Sequence, residues 1–183
     1  NLTRIVSGPE DRLVVLFRPA AAPPVIAYVK FTGPSVLPAS TLQNAMAGVA
    51  VGVPYSEARV RQLLDSAIRP IYEGRGRLRV AFPKIAAAPA TDVKGLMVTV
   101  SVEEGASYNL GDVRVEGAPA SPESLLKAAN LKVDDIANFQ EVEAGRQRML
   151  KLLRRNGYMR AGARVERRID DARKKVDVIF LFT

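Results

Sequence analysis

Hydrophobic positions along this chain switch from a helical to a strand-like period, and they do so twice in the same order. Between Arg148 and Val165, Met149, Leu150 and Leu153 recur at helical spacing, Asn156-Gly157 interrupts them, and an alternating segment opens at Tyr158. That pattern predicts a helix, a glycine stop and a strand, because glycine takes up the left-handed backbone of a helix end without a Cβ penalty. Tyr158, just beyond, is expected to fold its ring back onto the helix. Earlier in the chain, Ile68, Ile71 and Tyr72 end a helical pattern, Gly74 and Gly76 break it, and Leu78, Val80 and Phe82 alternate.

Around the earlier copy, Val29 and Phe31 mark one face of a strand that Thr32-Gly33-Pro34 ends, and Leu37 to Met46 predicts a short helix stopped by Gly48. A second helix follows, with Ser56 as its N-cap and Glu57 in its first turn, where a carboxylate favours the dipole. Its apolar face is Val60, Leu63, Leu64, Ala67, Ile68 and Ile71; Pro70 lies within that pattern and, lacking a backbone donor, predicts a kink or an early end. A strand over Arg77 to Phe82, a loop over Pro83 to Asp92 and a strand over Leu96 to Val102 complete the unit, which Glu103-Glu104-Gly105 closes.

The second copy keeps this order. Val113 and Val115 predict a strand ended by Gly117; Ser121-Pro122 opens a helix that Asn130 is suited to stop. Asn138 with Glu141 forms a capping-box pattern before the helix carrying Phe139, Val142, Met149, Leu150 and Leu153. Strands are expected over Tyr158 to Arg167 and Lys174 to Phe182, joined through Ile169 to Arg173. Val178 to Phe182 is apolar on both faces, as in the central strand of a sheet or one that docks on a further domain. Gly33 and Gly117 stand 84 positions apart, and Gly76 and Gly157 stand 81 apart, so the two copies differ by a loop indel. Thr3 to Val6 and Leu13 to Phe17, around Gly8-Pro9-Glu10-Asp11, read as the closing hairpin of a preceding, truncated unit. The expected domains are therefore a hairpin at 1–20, a linker at 21–25, one unit at 26–105 and one at 106–183.

Composition narrows the chemistry. With 183 residues, no cysteine and 48% hydrophobic content, packing alone must hold each unit, without disulfide or thiolate zinc. Histidine is absent too. The acidic pairs Glu103-Glu104 and Asp170-Asp171 fall at strand ends or turns, where carboxylates are ordinarily solvated. Asp134-Asp135 lacks the alternating oxygens of a calcium loop, and Gly74-Arg75-Gly76 is too short to cradle phosphate. Catalysis, a metal and a cofactor are not expected. No apolar run is long enough for a spanning helix, and the chain begins at Asn1 without methionine, as an excised or processed fragment does. A net charge of +8 raises the question of anionic partners, but the basic residues are spread over both units without interleaved aromatics, which argues against nucleic acid.

A βααββ unit of this period, with Val113, Val115 and Gly117 ending the first strand and the run Leu153 to Tyr158 turning helix into strand, resembles a POTRA domain. Val29, Phe31, Gly33, Tyr72 and Gly76 carry the same resemblance in the first unit, where Arg77 instead of an aromatic, together with Pro70, predicts a shortened second helix or a loosened corner. The resemblance implies an α+β fold of tandem modules, each a three-stranded mixed sheet with two helices on one face. It implies a periplasmic array attached to an outer-membrane β-barrel, receiving unfolded barrel precursors or accessory lipoproteins, with anionic headgroups as a further partner. In that family strand two is a sheet edge. The expected polypeptide-binding edges are then Leu78, Arg79, Val80, Ala81 and Phe82, and Met159, Arg160, Ala161, Gly162, Ala163, Arg164 and Val165. Gly33, Gly76, Gly117 and Gly157 are the expected structural turns. A pure connector between barrel and partner subunits, or an envelope or cell-division protein with the same domain, is the alternative.

Overall fold

The computed structural model describes residues 23–183; the hairpin expected in residues 1–20 and the start of the linker lie outside the described residues. Two units follow one another, each with its own sheet. In the first, β1 (Ile26–Thr32), α1 (Ala39–Ala50), α2 (Glu57–Leu63), a π-helical turn (Leu64–Ile68), α3 (Arg69–Glu73), β2 (Ile85–Pro89) and β3 (Leu96–Ser101) build a sheet of order β1-β3-β2. In the second, β4 (Asn109–Glu116), α4 (Pro122–Ala129), α5 (Phe139–Arg155), β5 (Ala163–Asp170) and β6 (Lys175–Phe182) build β4-β6-β5. The central strand of each sheet is parallel to the first strand and antiparallel to the second. Both sheets are mixed, as the family resemblance implied.

The same glycine closes the first strand of each unit for the same reason. Gly33 (φ +92) would place a Cβ 2.7 Å from the Val102 carbonyl, and Gly117 (φ +70) would place one 2.8 Å from that of Phe182. At both sites the backbone turns left-handed against the end of the central strand, where only glycine fits. The helix-to-strand corners match as well: the N–H of Arg77 reaches back five residues to Tyr72 O (3.0 Å), and that of Tyr158 to Leu153 O (3.0 Å). This is the Schellman arrangement, with Gly76 (φ +72) and Gly157 (φ +94) in the left-handed position.

Each unit buries its own apolar core between helices and sheet. Leu42, Met46, Val60, Leu64, Ile68, Tyr72, Val98 and Val100 pack in the first; Leu125, Val142, Met149, Leu153, Val178 and Phe180 pack in the second. Burying such side chains supplies about 1.5–3 kcal/mol each before the entropy of ordering is counted. Ile179, on the opposite face of β6, is also buried, with Arg114 and Glu166 as its neighbours across the sheet. The central-strand reading of Val178 to Phe182 therefore holds.

Several local expectations change. Gly48 does not stop α1, which runs on to Ala50, because Leu42, Met46 and Ala50 form one buried stripe. At Pro70 the helical pattern is interrupted and resumes. A π turn ahead of it, with the Arg69 N–H bonded to Leu64 O, restarts the helix so that Pro70 stands in a first turn, where no donor is needed. Ser56 caps α2 through the Arg59 N–H, and Asn138 caps α5 through the N–H groups of Gln140 and Glu141. Asn130 ends α4 in the left-handed region (φ 52). Ser121 precedes α4 without a side-chain cap bond.

Strand two of the first unit lies elsewhere than the alternation suggested. Leu78, Val80 and Phe82 are buried at 5%, 3% and 7% exposure, yet their segment does not join the sheet. It is held by a bridge in which Ala81 and Glu103 exchange both backbone hydrogen bonds (2.9 Å each). The pairing register slips by one residue between that bridge and the β2–β3 ladder, around Pro83, and the sheet strand forms at Ile85–Pro89, inside the predicted loop. Alternation records which side chains are buried and leaves open which backbone they pair with. In the second unit the strand likewise starts later than Tyr158: Met159 to Gly162 form the turn into β5.

Candidate functional site: open sheet edges and the junction between units

Each sheet has two borders, and the chain treats them differently. The start of β1 is covered by the loop after α1, through Ile26 N–H to Val53 O and Gly52 N–H to Ile26 O (2.9 Å each). The start of β4 is covered in the same way, through Leu110 N–H to Asp135 O and Asp134 N–H to Leu110 O (2.8 Å each), with Asp134 left-handed where the first unit has Gly52. Past those first residues β1 and β4 remain outer strands, and β2 and β5 are the second-strand borders, which no such loop covers among the described residues.

Hydrogen-bond parity tells which groups on those strands are unpaired. Gly162 and Thr183 exchange both bonds (2.8 and 3.0 Å), so even-numbered residues of β5 bond to β6 and the backbone of Ala163, Val165, Arg167 and Ile169 points outward. Ala163 O accepts from Arg146 on α5 (2.9 Å). No hydrogen bond among the described residues reaches the N–H groups of Val165, Arg167 or Ile169. On β2 the bonds Ser101 N–H to Lys84 O and Ala90 N–H to Gly95 O set the opposite ends of the ladder, which turns Ile85, Ala87 and Pro89 outward, with Pro83 on the same parity. A proline has no N–H to offer and its ring obstructs an incoming strand. The first unit's border is thus two donors wide between prolines; the second unit's runs the length of β5.

Of the expected edge residues, the structure gathers Ala163, Arg164 and Val165 on β5, the outer strand of its sheet. Met159, Arg160, Ala161 and Gly162 lie in the preceding turn. Leu78 to Phe82 are not on a free edge: beyond the Ala81–Glu103 bridge, Val80 O accepts from Arg69 (3.0 Å) and Phe82 O from Arg61 (3.4 Å). The residues that sequence reasoning missed are Ile85 and Ala87 on β2 and Arg167 and Ile169 on β5. Pro83 and Pro89, six positions apart, were the available sign of a guarded edge.

Leu78 instead enters the junction. It packs with Tyr108, Ala137 and Val176, joined by Phe139 and Ile169, in a small core between the units. Around it Arg79 pairs with Asp171 (2.8 Å), Tyr108 OH donates to the same carboxylate, and Arg167 pairs with Glu73 (2.8 Å) while lying 5.2 Å over the Phe139 ring. The Arg79 guanidinium and the Tyr108 hydroxyl hold the Asp171 carboxyl below its ordinary range.

Glu104, expected to be solvated, is 9% exposed. Its carboxylate accepts from Ser35 Oγ (2.6 Å), Val36 N–H (3.0 Å) and Tyr72 OH (3.1 Å). Burial raises its pKa, but these donors outweigh it and hold the group below the usual glutamate value. The same contact pushes the Tyr72 hydroxyl up, burial being the larger cause. Glu104 thereby locks the segment leaving β3 to the loop after β1 and the end of the second helix.

This geometry defines a class, a tandem of βααββ modules with open second-strand borders and a packed junction. Residues 108–183 match the family model of POTRA, the surface antigen variable number repeat. The second unit is a POTRA domain, and the first repeats its βααββ order and sheet topology. Among solved structures, the chain is similar to POTRA3-5 of BamA from Haemophilus influenzae, with TM-score 0.60 and 23% identity over 88% of this chain and 66% of that one. It is also similar to BamA from Haemophilus ducreyi lacking POTRA domains 1-3, with TM-score 0.59 and 13% identity over 87% of this chain and 29% of that one. The chain spans less than two thirds of the length of either.

Proposed function

We propose that this chain is a periplasmic polypeptide-binding scaffold of an outer-membrane protein assembly or secretion machine, working beside a membrane β-barrel of the same longer polypeptide. It receives extended segments of unfolded barrel precursors or accessory lipoproteins by strand addition. The observation that carries this reading is the row of unpaired outward groups on β5, Val165, Arg167 and Ile169, next to an Ala163 carbonyl already met by a side chain. An added strand satisfies those groups with main-chain bonds, which demand little of the client's sequence. At about 1 kcal/mol net per hydrogen bond, such capture is weak and reversible, as handover requires. Arg164 and Arg168, on the other parity of β5, favour acidic clients or anionic headgroups in a salt-sensitive way.

The test is titration of the isotope-labelled chain with a synthetic amphipathic barrel-strand peptide. Amide shifts should concentrate on Ala163 to Ile169, with little at Ile85 to Pro89, and Val165→Pro, which removes an outward N–H that the sheet does not use, should abolish them. Shifts absent from β5 would leave the connector reading. That second reading has its own support in the packed junction, whose apolar cluster and two ion pairs oppose bending between the units.

A further inference from the structure

Both units bring an arginine of their second helix to a backbone oxygen at the start of the strand-two segment. In the second unit, Arg146 on α5 donates Nη1 to Ala163 O (2.9 Å), while its Nε and Nη2 hold both oxygens of Glu143 (2.8 and 2.5 Å). In the first, Arg69 on α3 donates to Val80 O (3.0 Å) and Arg61 on α2 to Phe82 O (3.4 Å), with Asp65 and Glu57 as their carboxylate partners. Each of these oxygens belongs to a neighbour of a bridging residue, Ala81 or Gly162.

The contacts are not copies of one another. Counting from the N-caps Ser56 and Asn138, Arg61 aligns with Glu143; counting back from Gly76 and Gly157, Arg69 aligns with Leu150. Guanidinium groups thus reach outward oxygens from positions that the repeat does not share. Their number follows how far each border is shut. Beside Ala81 both flanking oxygens are held and Pro83 follows; beside Gly162 only Ala163 O is held among the described residues, and the N–H groups of Val165, Arg167 and Ile169 stay open.

We infer that Arg146 is a positioning residue for strand capture: by holding Ala163 O it fixes where the pairing of an added strand stops on β5. The inference rests on the strand-capture reading. In either strand direction, one client N–H faces Ala163 O and meets an acceptor already in use. A bond from a guanidinium is charge-assisted and stronger than the amide bond that would replace it, and the Glu143 pair holds the group in place. The client therefore makes its first bond to an outward oxygen at Val165, and its residue facing Ala163 needs no N–H. The segment that fits is an extended backbone whose pairing ends at that residue.

The test is an amide-to-ester scan of the synthetic amphipathic barrel-strand peptide, each ester removing one backbone N–H without adding bulk. Kd is read on the unmutated chain and on Arg146→Met, which keeps an apolar stem and removes the donors. On the unmutated chain, esters at the client N–H groups facing Val165 O and Arg167 O should weaken binding about fivefold, and the ester facing Ala163 O should leave it within about twofold. In Arg146→Met the position facing Ala163 should become sensitive, and the parent peptide should bind about fivefold tighter. An ester pattern identical in the two chains, with amide shifts still on β5, would overturn the role of Arg146 and leave strand capture standing. A lower melting temperature in Arg146→Met with that pattern unmoved would make the residue a plain tether between α5 and β5. No shifts on β5 in either chain would remove both readings. A further readout needs no variant: the Arg146 Nη resonances should be separate and slowly exchanging in the free chain and stay so with peptide bound. Their collapse to a freely rotating signal on binding would show the client displacing the guanidinium, and would overturn the inference.

Discussion

The two units carry one plan and differ at their second-strand corner. In the first, the extended segment Leu78 to Phe82 is buried and bridged, the register slips at Pro83, and the sheet border is a short alanine run between prolines. In the second, the turn Tyr158 to Gly162 lies open and β5 continues from the bridge without a slip. The difference teaches that a repeated module can keep its glycines and hydrogen-bond pattern while assigning its borders to different tasks. One corner joins the units; the other unit has the longer row of outward backbone groups without a partner among the described residues.

The largest test of that contrast is truncation at the matched pair. Leu78→Ala should cost about 3 kcal/mol through lost burial and the cavity left at the junction, whereas Met159→Ala should stay within about 0.5 kcal/mol. Equal losses in urea unfolding would erase the distinction between a covered and an open corner. Next come the glycines. Gly76→Ala places a Cβ 2.7 Å from Tyr108 O, so backbone must move and about 2 kcal/mol or more should be lost. Gly157→Ala meets open space and should cost only the left-handed conformation, about 1 kcal/mol.

A further test concerns the carboxylate lock of the first unit. Glu104→Gln keeps one acceptor and loses the charge, for an expected loss of about 1 kcal/mol at neutral pH. Its pH dependence has a definite sign. The folded-state carboxyl lies below its ordinary value of 4.5, so the unfolded chain binds the proton more readily. The stabilisation is therefore complete above that value and lost as pH falls through the folded one. Acid unfolding of Glu104→Gln should show a shallower slope in that window; an unchanged slope would place the linkage on other carboxylates.

Much of the fold was legible because it depends on neighbours close in sequence. Caps at Ser56 and Asn138, the left-handed stop at Asn130 and the positive φ of Gly33, Gly76, Gly117 and Gly157 all follow from what a residue's own backbone can do. The duplication was legible for the same reason, since each copy repeats those local signals in order. The candidate edge was half legible: Ala163 to Val165 fall on an outer strand, Leu78 to Phe82 do not.

By itself, then, the sequence determined the βααββ order, the central place of the last strand and the glycine corners, because periodicity and backbone preference are local properties. Tertiary structure alone decided that Leu78 belongs to a junction, that Ile85 to Pro89 take the sheet border, and that Glu104 is buried on Ser35 and Tyr72. Those outcomes turn on partners distant along the chain, 69 positions away for Ser35. A hydrophobic pattern tells that a side chain leaves water, but only the assembled surfaces choose what replaces it.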